Sequence, residues 1–133
     1  MDTAFIYQLY FILCLVMFSH FVGDFVFQSN KMAKSKSTDI GFLLLHVTVY
    51  TVVITIVPLI FAIVNAASFE MVMYFSVINF ALHFLVDLCS SRVTSYFWNK
   101  QSLHNFFVVV GFDQFLHLLC LAMTLAWFLD VTI

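Results

Sequence analysis

Charge is what this chain has least of. Only 9% of its 133 residues are Asp, Glu, Lys or Arg, and it holds three Gly, one Pro and three Cys. Soluble domains carry about a quarter charged residues and an apolar share of about 45–50%. Here 64% of the chain is hydrophobic and the mean hydropathy is +1.08. The shortage excludes an ordinary soluble domain, and no nucleic-acid partner is expected. Cys14, Cys89 and Cys120 are scattered, odd in number and form no CxxC, so reduced, buried thiols are expected. Cys89 stands out only because it follows Asp87 closely.

What the chain has instead is apolar length. Runs long enough to cross a bilayer, about 20 residues each as helices, lie at roughly 4–27, 41–64, 70–89 and 106–129. They leave almost no chain for a soluble domain. Residues 1–133 are therefore read as a single integral membrane domain, an all-α, polytopic four-helix bundle in contact with the lipid bilayer. The 18 Phe are expected on lipid-facing and core surfaces, with no cofactor implied. The first run starts at Asp2, lacks a basic leader and a small-residue cleavage site, and is expected to stay in the mature protein. Lys31, Lys34 and Lys36 fall in the first connection, Arg92 and Lys100 in the third; the second connection and the ends carry Glu70, Asp2 and Asp130. By the positive-inside rule, connections one and three face the cytoplasm and both termini face out.

Gln28, Ser29 and Asn30 close the first run, Pro58 is expected to kink or thin the second, and the chain turns over at Asn65 to Ser68. The third run passes into SSRVTSYFWNKQSLHN, where Tyr96, Phe97 and Trp98 beside Arg92 and Lys100 read as an interfacial segment. His104 is expected in a solvated loop. The shared H-F-x-x-D of SHFVGDF and LHFLVDL points to a duplicated helical hairpin with a parallel repeat. The repeat is imperfect, because the position that would match Asp113 is Phe42.

Ionisable residues inside such runs are costly and mark function. Three runs carry a His and an Asp four residues apart: His20/Asp24, His83/Asp87 and, reversed, Asp113/His117; the remaining run carries His46. Residues i and i+4 share a helix face, about 6 Å apart along the axis. The order reversal in the fourth run is what an antiparallel bundle needs to keep every Asp nearer the cytoplasm and every His deeper. The expected object is a ring of His20, His46, His83 and His117, capped by Asp24, Asp87 and Asp113.

Imidazole and carboxylate together suit Zn²⁺, Mn²⁺ or Fe²⁺, and these groups are enough for one or two divalent ions. Asp24, Asp87, Asp113 and the four histidines are the candidate ligands, with Asp24 or Asp87 as a general base where it is not a ligand. Gln28 and Gln114 are candidates for orienting ligands through hydrogen bonds. Lys31, Lys34 and Arg92 lie where an anionic head group would sit, and Ser90, Ser91, Thr94 and Ser95 can donate to phosphate oxygens. Topology and attraction to anionic lipids also account for the basic residues, and interhelical hydrogen bonding for the polar pairs.

The segments HFVGDFVFQSNKMAKSKS, LLLH, NFALHFLVDLCSSRVTSYFW and FFVVVGFDQFLHLL carry a resemblance across roughly residues 19–120. In them the chain resembles an uncharacterised family of small integral membrane proteins of bacteria and their phages. The matching positions are His20, Gly23, Asp24, Gln28, Lys34, His46, His83, Asp87, Ser91, Arg92, Thr94, Ser95, Asp113, Gln114 and His117. The resemblance implies a bacterial inner-membrane location and a shared site, and is silent on activity. Small inner-membrane metal-dependent hydrolases also place HxxxD pairs on membrane helices, an analogy of style.

The leading reading is an intramembrane metal-dependent hydrolase open to the cytoplasm, acting on a phosphate-containing or lipid-linked substrate. A proton or ion relay is the first alternative; Thr51, Thr55, Ser76, Asn79 and Thr124 are its main polar groups in the outer halves of the runs. The second is a non-enzymatic interaction protein with a structural polar core, for instance a phage-encoded blocking factor. A homodimer is compatible with all three.

Overall fold

The computed structural model describes residues 3–65 and 68–132. Asp2, the side chain of Asp130 and the middle of the second turn lie outside the described residues. The described chain is helical: α1 (Thr3–Phe21), a π-helical segment (Val22–Val26), α2 (Asn30–Ser35), α3 (Ile40–Asn65), α4 (Phe69–Asn99) and α5 (Leu103–Thr132). Four helical segments, Ile6–Val26, Ile40–Asn65, Phe69–Asn99 and Leu103–Leu129, are long and apolar enough to cross a membrane.

Two elements differ from the sequence-based expectation. Helix α4 does not stop near residue 89 but continues to Asn99. The polar residues there do not break it, since Thr94 Oγ1 returns its proton to its own helix at the carbonyls of Ser90 and Ser91, 3.0 and 2.9 Å away. His104 is not in a loop but in the first turn of α5, exposed. The reversal between α4 and α5 is confined to Lys100–Ser102, with Gln101 at a φ of 56° and Ser102 N–H bonded to Phe97 O at 3.0 Å.

The first connection is also built. Ser29 caps α2 by accepting from Met32 N–H at 3.3 Å, while Ser29 N–H reaches Met32 Sδ at 3.3 Å. Met32 is only 7% exposed, so this six-residue helix is pinned to the bundle. Asp39 then accepts from Gly41 N–H at 2.7 Å and starts α3.

Helix α3 packs against α1, the π-helical segment, α2 and α4; α4 packs along α5, and α1 meets α5 over only a short stretch. The buried stripe of α4 is Val72, Phe75, Asn79, His83, Asp87 and Ser91, mostly at intervals of four, and it changes from apolar to polar along its length. Val16, Ile54, Ala62, Phe75, Leu121 and Phe128 form the apolar end of the core, where van der Waals packing holds membrane helices together. Tyr50 closes that cluster beneath the polar end. Phe11, Phe18, Phe107, Phe112 and Phe115 are exposed on the outside, as expected of side chains that face lipid.

Candidate functional site

The polar end of the core gathers residues from five elements. α1 supplies His20, the π-helical segment Asp24, α3 His46, α4 His83 and Asp87, and α5 Asp113 and His117. All but Asp113 are at least 96% buried, and the Asp113 side chain is 13% exposed. The π-helical turn, closed by Phe27 N–H to Val22 O at 2.9 Å, widens the helix between His20 and the end of the span. Such turns are frequent at functional sites. Here it sets Gly23 against α3, where an added Cβ would lie 3.2 Å from Tyr50 Cδ2 and 3.3 Å from Tyr50 Cα. A side chain here would require α3 to give way by a few tenths of an ångström.

At the centre, four side chains converge. His46 Nε2 is 3.1 Å from Asp24 Oδ1, 3.2 Å from Asp87 Oδ2 and 3.2 Å from His83 Nε2. His83 Nε2 is 3.6 Å from each of the same two carboxylate oxygens. Ligand atoms at about 2.0–2.1 Å from a tetrahedral Zn²⁺ stand about 3.3–3.4 Å from one another, and these five separations bracket that edge. The Asp24, His46, His83 and Asp87 atoms fall within one group able to hold a metal ion. His46 Nε2 carries at most one N–H, which cannot serve two carboxylates and a facing imidazole nitrogen at once, whereas a cation among the four atoms meets all of them.

A second group adjoins the first. Asp24, Asp113 and His117 also converge within metal-holding distance. His117 Nε2 lies 3.3 Å from Asp113 Oδ1 and 3.6 Å from Asp87 Oδ1, yet neither His117 Nε2 nor Asp113 Oδ1 has a hydrogen-bond partner among the described residues. Asp24 belongs to both groups, and Asp87 turns one oxygen to each, which is the arrangement a pair of ions sharing carboxylates would use.

His20, counted among the ligand candidates, stands outside both groups. Its Nδ1 contacts Tyr50 Oη at 3.2 Å and its Nε2 meets Gln114 Oε1 at 3.1 Å. Gln114 Nε2 donates to Asp24 Oδ2 at 2.8 Å and to Asp113 Oδ2 at 3.1 Å, so this amide ties α1 to α5 and orients two carboxylates. The Gln28 amide lies against both ring nitrogens of His46 at 3.3 and 3.4 Å.

Two residues were missed as site members by sequence reasoning. Lys36 Nζ donates to Asp87 Oδ2 at 2.8 Å, and Lys36 is only 15% exposed. Tyr50 stacks on His83 with ring centroids 3.7 Å apart, and His117 stacks on the other face of the cluster at 4.1 Å from His83. Lys36 had been counted only for its sign. For Tyr50 the available signal was its spacing, four residues after His46 on the same face of α3.

Above the cluster lies a cavity of about 580 Å³. Asp24, Asp87 and Asp113 line it and the four histidines do not, so the carboxylates form its floor with the imidazoles beneath. Gln28, Lys34, Lys36, Ser90, Ser91, Thr94 and Ser95 contribute polar walls. Lys31 and Arg92 are not among the lining residues. Lys31 Nζ sits 4.9 Å over the Phe42 ring, and the Arg92 guanidinium donates to the Leu88 carbonyl.

Comparison with curated proteins and with solved structures gives no match. A family model does match, over residues 12–132, and the span takes in every histidine and aspartate of the cluster. The chain belongs to the DUF3307 family, described as a protein of unknown function.

Proposed function

We propose that the protein is an intramembrane metal-dependent hydrolase whose His/Asp centre forms the floor of a cavity open toward the cytoplasm. The observation that carries this reading is the set of five nitrogen and oxygen separations of 3.1–3.6 Å among Asp24, His46, His83 and Asp87 directly beneath that cavity. Two imidazoles and two carboxylates at near-tetrahedral edges favour Zn²⁺, with Mn²⁺ or Fe²⁺ as the other suitable ions. Asp113, His117 and the shared Asp24 offer a second place. The positions of Lys31, Lys34, Lys36, Arg92 and Lys100 support a cytoplasmic mouth in a bacterial inner membrane.

A divalent ion there supplies Lewis acidity that polarises a phosphoryl oxygen and acidifies water. The residues do the rest. Asp24 and Asp87 sit in the inner group; with one ion there and the second place empty, Asp113, the most exposed of the three carboxylates, is the one free to take a proton from water. The water oxygen forms a bond to phosphorus as the ester P–O bond breaks. The electron pair of that bond stays on the departing alcohol oxygen, which receives the proton held by Asp113. Lys34 and Lys36 stand beside the cavity to offset the charge of the phosphate.

The relay alternative has less behind it. In the apolar half of the core, Thr55 and Ser76 bond to each other at 2.8 Å, and Asn79 and Thr124 close on each other at 2.9 and 3.1 Å. These groups pair off instead of extending a path from His83.

The test is metal content by mass spectrometry on detergent-purified protein, wild type beside Asp87→Asn, followed by phosphoesterase assay of the loaded protein. One or two divalent ions per chain, lost in the variant, with metal-dependent release of phosphate, is the expected result. Absence of metal from the wild type at neutral pH overturns the reading.

A further inference from the structure

The cavity has two kinds of wall, and the division follows the fold. One wall rises along α4: above His83, which lies beneath the cavity, Asp87, Ser91 and Ser95 follow at intervals of four, each step climbing about 6 Å. The lower two belong to the histidine and aspartate cluster and the upper two are hydroxyls lining the cavity. Ser91 is 6% exposed, and its Oγ has no hydrogen-bond partner among the described residues although hydroxyls elsewhere on these helices bond to their own carbonyls. Opposite stand the Lys34 and Lys36 side chains from the pinned connection, the latter with its ammonium 2.8 Å from Asp87 Oδ2. The Ser91 and Ser95 hydroxyls one and two helical turns above Asp87, with the Lys34 side chain on the cavity wall and the Lys36 ammonium at the carboxylate floor itself, are matched to a phosphate group once that floor carries cations.

The other wall is apolar. Phe25 of the π-helical segment and Phe106 of α5 line the cavity. Phe25 is 47% exposed, on a segment that belongs to a candidate membrane span. Phe25 therefore gives the cavity an edge that is exposed within a candidate membrane span, and the Asp24, Asp87 and Asp113 floor also lies inside such spans. A freely soluble phosphate ester has nothing to place against these rings. An ester whose apolar chain stays in the bilayer does.

Resting on the metal-hydrolase reading, we infer that the cavity takes a lipid-linked phosphate monoester. Its phosphate lies between Ser91, Ser95 and the two lysines, and its chain leaves past Phe25 and Phe106 into the membrane. Hydrolysis adds water across the phosphorus–oxygen ester bond and releases inorganic phosphate to the cytoplasm and a lipid alcohol to the bilayer.

The experiment uses the full chain in nanodiscs, loaded with Zn²⁺, its metal content measured in every sample. Dodecyl phosphate and inorganic phosphate are titrated separately and followed by ³¹P NMR, with nanodiscs carrying Asp87→Asn giving the background of simple partitioning. Dodecyl phosphate is expected to bind at least about tenfold more tightly than inorganic phosphate, a ratio that burial of about two CH₂ groups of its chain supplies. Ser91→Ala and Lys34→Met are each expected to weaken dodecyl phosphate about tenfold, the worth of one hydrogen bond to a charged group, with metal content unchanged. Phe106→Ser is expected to narrow the gap between the two probes while leaving inorganic phosphate binding as it was. Equal binding of the two probes by metal-loaded protein overturns the lipid substrate, and failure of both to bind overturns the phosphate site, while the metal centre stands in either case. Protein that holds no metal fails at the earlier step, and both readings fall with it.

Discussion

His46 Nε2 and His83 Nε2 face each other at 3.2 Å, and each also faces Asp24 Oδ1 and Asp87 Oδ2. Two imidazole nitrogens at this distance share at most one proton, whereas a cation among all four atoms is attracted by every one. His46→Ala or His83→Ala is therefore expected to lower bound metal from one or two ions per chain toward none. Mass spectrometry of purified protein checks it, and full retention of metal in both variants would place the ion elsewhere.

Tyr50 works on the cluster through two different surfaces. Its hydroxyl meets His20 Nδ1 at 3.2 Å and its ring stacks on His83. Tyr50→Phe keeps the stack and is expected to cost about 1 kcal/mol of stability with metal retained. Tyr50→Ala removes the surface that orients His83 and is expected to weaken metal affinity about 10- to 100-fold, as loss of a ligand's support does elsewhere. Thermal melts and competition with a chelator separate the two effects.

Gly23 is where the π-helical segment touches α3. Gly23→Ala puts a methyl 3.2–3.4 Å from Tyr50 atoms, two of them backbone, which cannot rotate out of the way. Overpacking of this kind costs about 1–3 kcal/mol, and it displaces Asp24, the next residue. Both the melting temperature and the metal content are expected to fall; a variant as stable as wild type would mean that the two backbones have room to part.

Asn79 and Thr124 supply the contrast. They hydrogen-bond each other in the apolar half of the core, away from the carboxylates. Asn79→Ala is expected to cost about 0.6 kcal/mol and no more than about 1.7, the range of interhelical hydrogen bonds in membranes, with metal content and phosphatase activity unchanged. A loss of activity in this variant with stability intact would favour a relay through the bundle.

Much of this was legible in the residues. Lipid supplies no partner for backbone groups, so apolar runs of this length have little choice but to be helices. On a helix, His20/Asp24, His83/Asp87 and Asp113/His117 must each share a face. Their reversed order in the last run is what sets the three carboxylates on one level in an antiparallel bundle, and all three line the cavity. The polar stretch after residue 89 hides how far α4 runs, because hydroxyls that bond their own helix look the same in sequence as hydroxyls that end it.

The sequence by itself determined that the chain forms helices long and apolar enough to cross lipid and that seven ionisable groups lie along them. Only the tertiary structure decided which groups meet. Rotation about each helix axis, the widened turn at Val22–Val26 and the anchoring of α2 by Met32 are settled by packing between elements. Those contacts set His20 aside with Tyr50 and Gln114, brought Lys36 onto Asp87, and turned Lys31 and Arg92 away from the cavity. Spacing along a chain fixes what shares a face, but distances between faces come from how the helices pack.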